Sequence, residues 1–297
     1  MEPITLRSGP LGLVLVPSVG GAIARFWSDA AGAAAELLRP TSEPALRHGD
    51  PGMTACYALV PWSNRIRHGR FTFGGRTVTL AANRPHERHP IHGHGFQAPW
   101  AVQDVAPSAA ILEYRHTPGA WPWAYRAVQR FRLTPTALEL QLAVTNGGDQ
   151  PMPVGLGWHP YFPRTRETTL TAHVTEIWLT DAEILPTERV APAPDRDPRP
   201  GLAVDRVALD NVFVGWDGRA VVTWPERGAR LRLAASSLLR TLVVYTPPAQ
   251  PFFCAEPVSH VTDAFNLAAG GEADTGMLTL APGESVQATC TLTPELA

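Results

Sequence analysis

The chain has 297 residues, of which 44% are hydrophobic and 18% are charged, and its formal net charge at pH 7 is -2. This length suits one large domain or two small ones. A chain this long can bury a hydrophobic core large enough to be stable without disulfides or bound metals. The near-neutral net charge gives no electrostatic reason to expect binding to nucleic acid or to an anionic membrane. No stretch approaches the ~20 apolar residues of a membrane-spanning helix.

Three features of the composition narrow the chemistry and the fold. The sequence contains no lysine, which excludes a Schiff-base lysine mechanism and a P-loop. Three widely separated cysteines, Cys56, Cys254 and Cys290, predict neither a disulfide framework nor a zinc site, and they indicate a reducing, cytoplasmic location. Thirty prolines favour many short elements joined by ordered loops.

The N-terminal segment LGLVLVPSVGGAIARF (residues 11–26) predicts two strands joined by a turn. Its apolar run ends at Pro17 and Gly20-Gly21 follow, so the run is too short for the apolar part of a secretory signal peptide. The next segment, DAAGAAAELLRP (residues 29–40), is the one stretch that we predict as helical, although Gly32 weakens that prediction.

Alternating apolar and polar residues dominate the rest of the chain and predict strands. FTFGG and RTVTL flank a hairpin turn at Gly74-Gly75, and the sequence from 217 to 236 forms a second hairpin that turns at Glu226–Gly228. Further strands are predicted at 138–146, 241–248, 252–258 and 286–296, and a proline-rich loop at 191–201. Regular antiparallel strands predict an all-β fold, a sandwich or a barrel, within one domain that spans residues 1–297.

The segment NRIRHGRFTFGG (residues 64–75) concentrates positive charge, because Arg65, Arg67 and Arg70 lie within six residues of one another. Arginines on an exposed strand edge discourage pairing with other sheets. The alternative is that one of them faces inward and binds a polar ligand. The segment alone leaves both interpretations open.

Histidines cluster in HERHPIHGHGF (residues 86–96), and His159 stands between aromatic residues in GWHPYFP. Histidine transfers protons near neutral pH and is the commonest metal ligand. On a strand His92 and His94 would face the same side, which leaves a metal site open as an alternative. Taken alone, His159 has the pattern of a packed histidine at the end of a strand.

Two carboxylates occupy apolar strands, Glu256 in FFCAEPVSH and Asp210 in VALDNVF. A buried carboxylate is costly unless it is paired or hydrogen-bonded, so such positions indicate function or a structural ion pair. Asp210 alone also fits an Asx turn. Several tryptophans, Trp158 among them, have the pattern of core residues, but aromatic rings beside histidines and carboxylates are also typical of a sugar-binding cleft.

The motifs, in their order along the chain, resemble the aldose 1-epimerase (galactose mutarotase) family. They are PWSNRIRHGRFTFGG, HPIHGHGFQAPW, GWHPYFP, LDNVF and FFCAEPVSHVTDAFN. The resemblance spans nearly the whole chain. It implies a large antiparallel β-sandwich of the galactose-mutarotase-like supersandwich type.

The resemblance also implies a mechanism that needs neither metal nor cofactor, in which a base and an acid open and close a sugar ring. Glu256 matches the general base, His159 the general acid, and His92 a donor near the reacting centre. The implied substrate-binding residues are Arg65, Asp210, Asn64 and Trp158. Near pH 7 a carboxylate is ionised and an imidazole is partly protonated, so both can hold the protonation states that this chemistry needs.

One departure from the family pattern bears on the substrate. His94 follows the glycine of IHG, where the commoner form of the family has a second glycine. The resulting HGF…PW pattern resembles that of the related hexose-6-phosphate epimerases. A phosphate would need arginines, and the candidates are Arg67, Arg70, Arg84 and Arg88. The implied partner is a hexose such as galactose or glucose, free or phosphorylated, and the protein is expected to be a monomer or a homodimer.

Three rival functions remain open at the level of sequence. A metal-dependent cupin-like enzyme would use His89, His92 and His94, although Ala98 stands where that motif has a glutamate. A glycoside hydrolase would pair Asp210 with Glu256. A non-catalytic domain would bind sugar in the same cleft without turning it over.

Overall fold

The computed structural model describes residues 2–30, 32 and 34–296. Two large antiparallel sheets account for most of it. The first has 11 strands. In spatial order they are β1 (Ile4–Ser8), β2 (Leu11–Val16), β3 (Ala22–Ser28), β5 (Cys56–Leu59), β13 (Gly157–Pro163), β22 (Phe252–Val258), β21 (Thr241–Tyr245), β18 (Asp210–Val214), β15 (Glu176–Thr180) and β16 (Pro186–Val190), with β4 (Ala35–Glu36) beside β3.

The second sheet has nine strands, and the C-terminal strand lies near its centre. In spatial order they are β17 (Leu202–Ala203), β14 (Thr169–Ala172), β19 (Arg219–Trp224), β20 (Ala229–Ala235), β24 (Ser285–Leu296), β11 (Leu138–Asn146), β10 (Tyr125–Leu133), β9 (Ala109–His116) and β8 (Ala101–Ala106). This arrangement confirms the predicted all-β class and the large antiparallel β-sandwich.

Smaller elements complete the described part of the chain. Two-stranded ladders form between β6 (Arg70–Phe73) and β7 (Arg76–Thr79) and between β12 (Met152–Val154) and β23 (Leu278–Leu280). Two short helices are α1 (Glu43–His48) and α2 (Ala264–Ala269). Neither helix is long and apolar enough to cross a bilayer.

Strand alternation creates the main core. In β11 the side chains of Leu138, Leu140, Leu142 and Val144 are buried, while the residues between them are half-buried. Side chains from both large sheets join in one extensive apolar cluster. The alternation that the sequence shows at 138–146 is therefore the inward face of a sandwich strand.

The central strands of the first sheet are buried on both faces, which positions the site described below. One face of β13 and β22 packs on the main core. The other face carries a second apolar cluster that includes Tyr57, Tyr161 and Cys254. β13 and β22 are adjacent and antiparallel, with Tyr161 opposite Cys254. His159, two residues before Tyr161, and Glu256, two residues after Cys254, therefore meet on this same face.

The predicted helix at residues 29–40 is wrong. Among the described residues of that stretch none is helical, and β4 pairs with the edge of β3 instead. The backbone N–H groups of Leu37 and Leu38 donate to the carbonyl of Phe26, and Glu36 pairs with Arg25. Sheet pairing therefore overrides the helical propensity of an alanine-rich sequence.

Candidate active site

A cavity of about 180 Å³ opens on the second apolar face of the first sheet. Its lining comes from β5, β13, β18, β21, β22 and the loops around residues 64–65 and 84–92. The lining residues are Tyr57, Asn64, Arg65, Arg84, Glu87, Ile91, His92, His159, Tyr161, Asp210, Tyr245 and Glu256. Six of the seven residues that the sequence marked as site residues are thus brought together from five separate segments.

Glu256 and His159 form a buried pair at the floor of this cavity. The Nε2 atom of His159 lies 3.2 Å from Oε1 of Glu256, and the two side chains are 7% and 3% exposed. Because β13 and β22 are neighbours, alternation directs one residue from each strand to the same point. Nδ1 of His159 and Oε2 of Glu256 have no hydrogen-bond partner among the described residues.

Burial shifts both groups toward their neutral forms. It raises the pKa of Glu256 well above its usual range, and the nearby Asp210 carboxylate raises it further. Burial lowers the pKa of His159 to about 3, and the positive charge of Arg39 acts in the same direction. With their side chains 3.2 Å apart, Glu256 and His159 form a coupled pair that favours one shared proton.

The His159 ring is fixed by aromatic contacts. It stacks on Tyr161 with a centroid distance of 4.5 Å and an interplanar angle of 18°. Tyr57 packs on it at 4.8 Å, and the two tyrosine hydroxyls lie 3.2 Å apart. These contacts hold the imidazole in one orientation toward Glu256.

His92 lies beside this pair in a turn. Its ring centroid is 5.1 Å from that of His159, and its φ of 64° is in the left-handed region. The Nδ1 atom accepts a hydrogen bond from the backbone N–H of Asn64 at 3.1 Å. Burial lowers the pKa of His92 well below its usual range, so the neutral ring carries its proton on Nε2.

Arg65 faces inward, as one of the two interpretations of its segment required, and only 9% of it is exposed. Its Nε and Nη2 atoms donate to the two carboxylate oxygens of Glu87, each at 3.1 Å. Its Nη1 atom lies 3.4 Å from Oδ2 of Asp210. The Oδ1 atom of Asn64 accepts from the backbone N–H of Arg65 at 2.8 Å, so Asn64 orients both Arg65 and His92.

Trp158 lies outside the cavity, which contradicts its predicted contact with a substrate. It is 2% exposed and belongs to the main core. Successive residues of a strand point to opposite faces, so a β13 that directs His159 into the cavity must direct Trp158 away from it.

The arginines proposed for a phosphate are mostly elsewhere. Arg67 begins a 3-10 turn and pairs with Asp263. Arg88 pairs with Glu183, and Arg70 is exposed. Only Arg84 reaches the cavity, where its Nη2 atom is 3.5 Å from Oδ1 of Asp50.

The clustered histidines diverge. Residues 91–96 form isolated bridges, a bend and a turn rather than a strand, so His92 and His94 do not share a face. His94 stacks on His116 at 4.6 Å, whereas the Nε2 atom of His89 faces Glu183 at 3.2 Å. This geometry contradicts the three-histidine metal site of the cupin-like alternative.

Sequence reasoning missed Glu87, the bidentate partner of Arg65, and the tyrosines Tyr57, Tyr161 and Tyr245. Glu87 lies in the loop HERH, where a carboxylate between cations has the pattern of a surface residue. The tyrosines at 57 and 245 share no motif with the catalytic candidates, and only strand pairing brings them to the cavity.

Comparisons with known proteins agree on one family. The sequence model described as "Aldose 1-epimerase" matches residues 2–293. The uncharacterized protein YphB of Escherichia coli K12 is 31% identical over 303 residues, which cover 99% of both chains. The crystal structure of a protein from Escherichia coli K12 that is described as an aldose 1-epimerase matches this structure with a TM-score of 0.90 at 30% identity. The match covers 100% of this chain and 99% of the Escherichia coli chain. Galactose 1-epimerase from Lactobacillus acidophilus NCFM shares the fold, with a TM-score of 0.80 at 16% identity and coverage of 99% and 94%.

Proposed function

The chain belongs to the aldose 1-epimerase family, and we propose that it interconverts the α and β anomers of a free aldose by acid–base opening and closing of the sugar ring. The observation that carries the proposal is the buried contact between Glu256 and His159, which lies in a cavity of monosaccharide size. Such a pair moves one proton off a substrate atom and another onto a neighbouring atom without a net change in its own proton count.

In the proposed reaction the Glu256 carboxylate takes the proton of the anomeric hydroxyl while protonated His159 donates a proton to the ring oxygen. The bond between the anomeric carbon and the ring oxygen breaks, and an open-chain aldehyde forms. Rotation about the adjacent carbon–carbon bond and the reverse transfers close the ring on the other face. The open-chain stage leaves both side chains neutral, which is the state that burial favours.

The remaining polar groups supply orientation and charge stabilisation. The Nε2–H of His92 is the donor beside the reacting centre, where negative charge develops on the departing or carbonyl oxygen. Asp210 and Arg65 form hydrogen bonds with sugar hydroxyls and so hold the ring over the pair.

The charges of the cavity favour a free aldose over a hexose 6-phosphate. Arg65 is already neutralised by Glu87 and Asp210, two carboxylates that would repel a phosphate. Arg84 is the remaining arginine of the lining, and it has Asp50 as its partner. A phosphate group carries close to two negative charges at neutral pH and calls for several unpaired donors.

Anomer exchange followed by NMR or polarimetry tests the proposal. Freshly dissolved α-glucose and α-galactose should reach equilibrium faster with enzyme than in buffer, and glucose 6-phosphate should gain little. Faster exchange of the 6-phosphate would favour the phosphosugar epimerase. Sugar binding with exchange at the buffer rate would favour a non-catalytic domain, and new reducing ends from oligosaccharides would favour a hydrolase.

Arg65→Ala should lower kcat/KM for every aldose by about tenfold to a hundredfold, because hydrogen bonds to charged groups contribute about 1.5–3 kcal/mol. Arg65→Lys should also lose activity, since a compact ammonium cannot contact Glu87 bidentately and Asp210 at the same time. Arg70→Ala is the matched control, because Arg70 is exposed and does not line the cavity. Wild-type kinetics for Arg65→Ala on both sugars would contradict the assigned role.

A further inference from the structure

A thiol that the proposed reaction does not use lies next to the catalytic pair. Cys254 and Glu256 are two residues apart on β22 and therefore project to the same face. His159 approaches from β13. One ligand atom from each of these three side chains lies within 4.8 Å of the others, and all three residues are buried.

Thiolate, imidazole and carboxylate together form a zinc-type donor set. Zn²⁺ binds sulfur at about 2.3 Å, imidazole nitrogen at about 2.0–2.1 Å and carboxylate oxygen at about 2.0–2.2 Å, usually in tetrahedral geometry. Ligand atoms around such an ion lie about 3.3–3.7 Å apart, so a shift of roughly 1 Å would close this cluster on a metal. Mg²⁺ and Ca²⁺ prefer sets made of oxygen alone.

Two polar atoms of the cluster are unpaired in the described part of the chain. Nδ1 of His159 and Oε2 of Glu256 have no hydrogen-bond partner within the described ranges 2–30, 32 and 34–296. No hydrogen bond at the far side of the ring therefore fixes a proton on the nitrogen that faces Glu256. His159 and Glu256 also line the cavity, so a fourth coordination position would face a small ligand or water.

A second cluster, His68, His89 and Glu183, provides a contrast on the surface. There Nδ1 of His89 accepts the backbone N–H of His68 at 3.0 Å. This bond leaves the proton of the neutral ring on Nε2, which points at Glu183 at 3.2 Å. Metal ligation by that nitrogen would move the ring proton to Nδ1 and break the backbone hydrogen bond that Nδ1 accepts, so the cluster serves as an internal control.

We propose that His159, Cys254 and Glu256 form a zinc site bordering the catalytic cavity and that Zn²⁺ bound there inhibits the enzyme. Binding releases the thiol proton and the proton shared by His159 and Glu256 to solvent. Both proton-transfer groups then become metal ligands and can no longer exchange protons with a sugar. The inhibition rests on the proposed function, whereas the metal site does not. The spacing of the cysteines along the chain gave no indication of zinc, because the other two ligands are not cysteines.

Co²⁺ used as a spectroscopic probe tests the site without reference to activity. A thiolate–cobalt charge-transfer band should appear on titration of the wild-type protein. It should persist in Cys56→Ala, since Cys56 packs in the main core, and in His68→Gln, which removes a ligand of the surface cluster. It should disappear in Cys254→Val and in Cys254→Ser, either of which suffices if the other fails to fold. A missing band in wild type, or a persistent band in the Cys254 variants, would overturn the proposal.

Zinc titration of anomer exchange tests the inhibition. Zn²⁺, but not Mg²⁺, should abolish wild-type turnover, and EDTA should restore it. Relative to each protein's own metal-free rate, Cys254→Val should raise the half-inhibiting zinc concentration by at least about 100-fold, because losing even a partner of a ligand costs about 10–100-fold in metal affinity. Equal zinc sensitivity in wild type and variant would overturn the proposal. A cobalt band without any anomer exchange in metal-free enzyme would leave the metal site standing and refute the proposed function.

Discussion

Glu256→Gln is expected to slow anomer exchange by about 10²–10⁴-fold, which is the usual rate contribution of a positioned acid or base. The amide preserves the shape of the side chain but cannot accept the proton of the anomeric hydroxyl. It also cannot share a proton with His159, whose Nε2 atom is 3.2 Å from the carboxylate. NMR exchange measurements on glucose and galactose give the rate. A variant within a few-fold of wild type would refute the role of Glu256 as base.

The same substitution is expected to stabilise the fold at neutral pH. The pKa of Glu256 is raised in the folded protein, so the folded state resists ionisation more than the unfolded chain does. The cost of this ionisation is absent below the unfolded pKa of about 4.3 and grows as the pH rises toward the folded pKa. Glutamine is neutral throughout. Its advantage in Tm should therefore be present at pH 7 and vanish near pH 4.

Thermal unfolding monitored across this pH range measures the effect, and each kcal/mol of relieved cost should raise the Tm by about 2–4 °C. Glu188→Gln is the matched control, because Glu188 is exposed on β16. It should change neither the rate nor the Tm. A Glu256→Gln protein that unfolds below wild type at pH 7 would mean that the carboxylate makes a net favourable contribution, contrary to the direction of its pKa.

Local sequence patterns predicted where the strands lie, but not which strands pair with one another in the sheets. Gly74-Gly75 marked the β6–β7 hairpin because its determinants lie within a few residues. The pairing of β13 with β22 joins segments that are far apart in sequence and carries no local signal. The Glu256–His159 pair was therefore accessible only through the resemblance of AEP and HPYF to a known family.

The wrong or missing site residues were those whose side-chain direction depends on local backbone geometry. Trp158 was assigned to the site although alternation on a strand, applied to its neighbour His159, would have sent it to the core. His92 and His94 were placed on a strand, but the left-handed backbone of His92 breaks the alternation. Glu87 was overlooked because an irregular loop has no periodicity from which its direction could be predicted.

His159→Gln is expected to reduce turnover by about 10²–10⁴-fold, as an acid should. The glutamine amide approximates the position of Nε2 but cannot be protonated near the ring oxygen. The stacked Tyr161 and the adjacent Tyr57 should still pack against it. His48→Gln, on the exposed end of α1, is the matched control and should leave the rate unchanged.

The double variant Glu256→Gln/His159→Gln separates a coupled pair from two independent groups. If a proton taken by Glu256 must be matched by one given by His159, removing either group already disables the transfer. The double variant should then be about as slow as the slower single variant, because residues that act as a unit are not additive. Anomer exchange at fixed sugar concentration measures all three rates relative to wild type. Losses that multiply across the two substitutions would show that the groups act separately, and the one-proton pair would have to be abandoned.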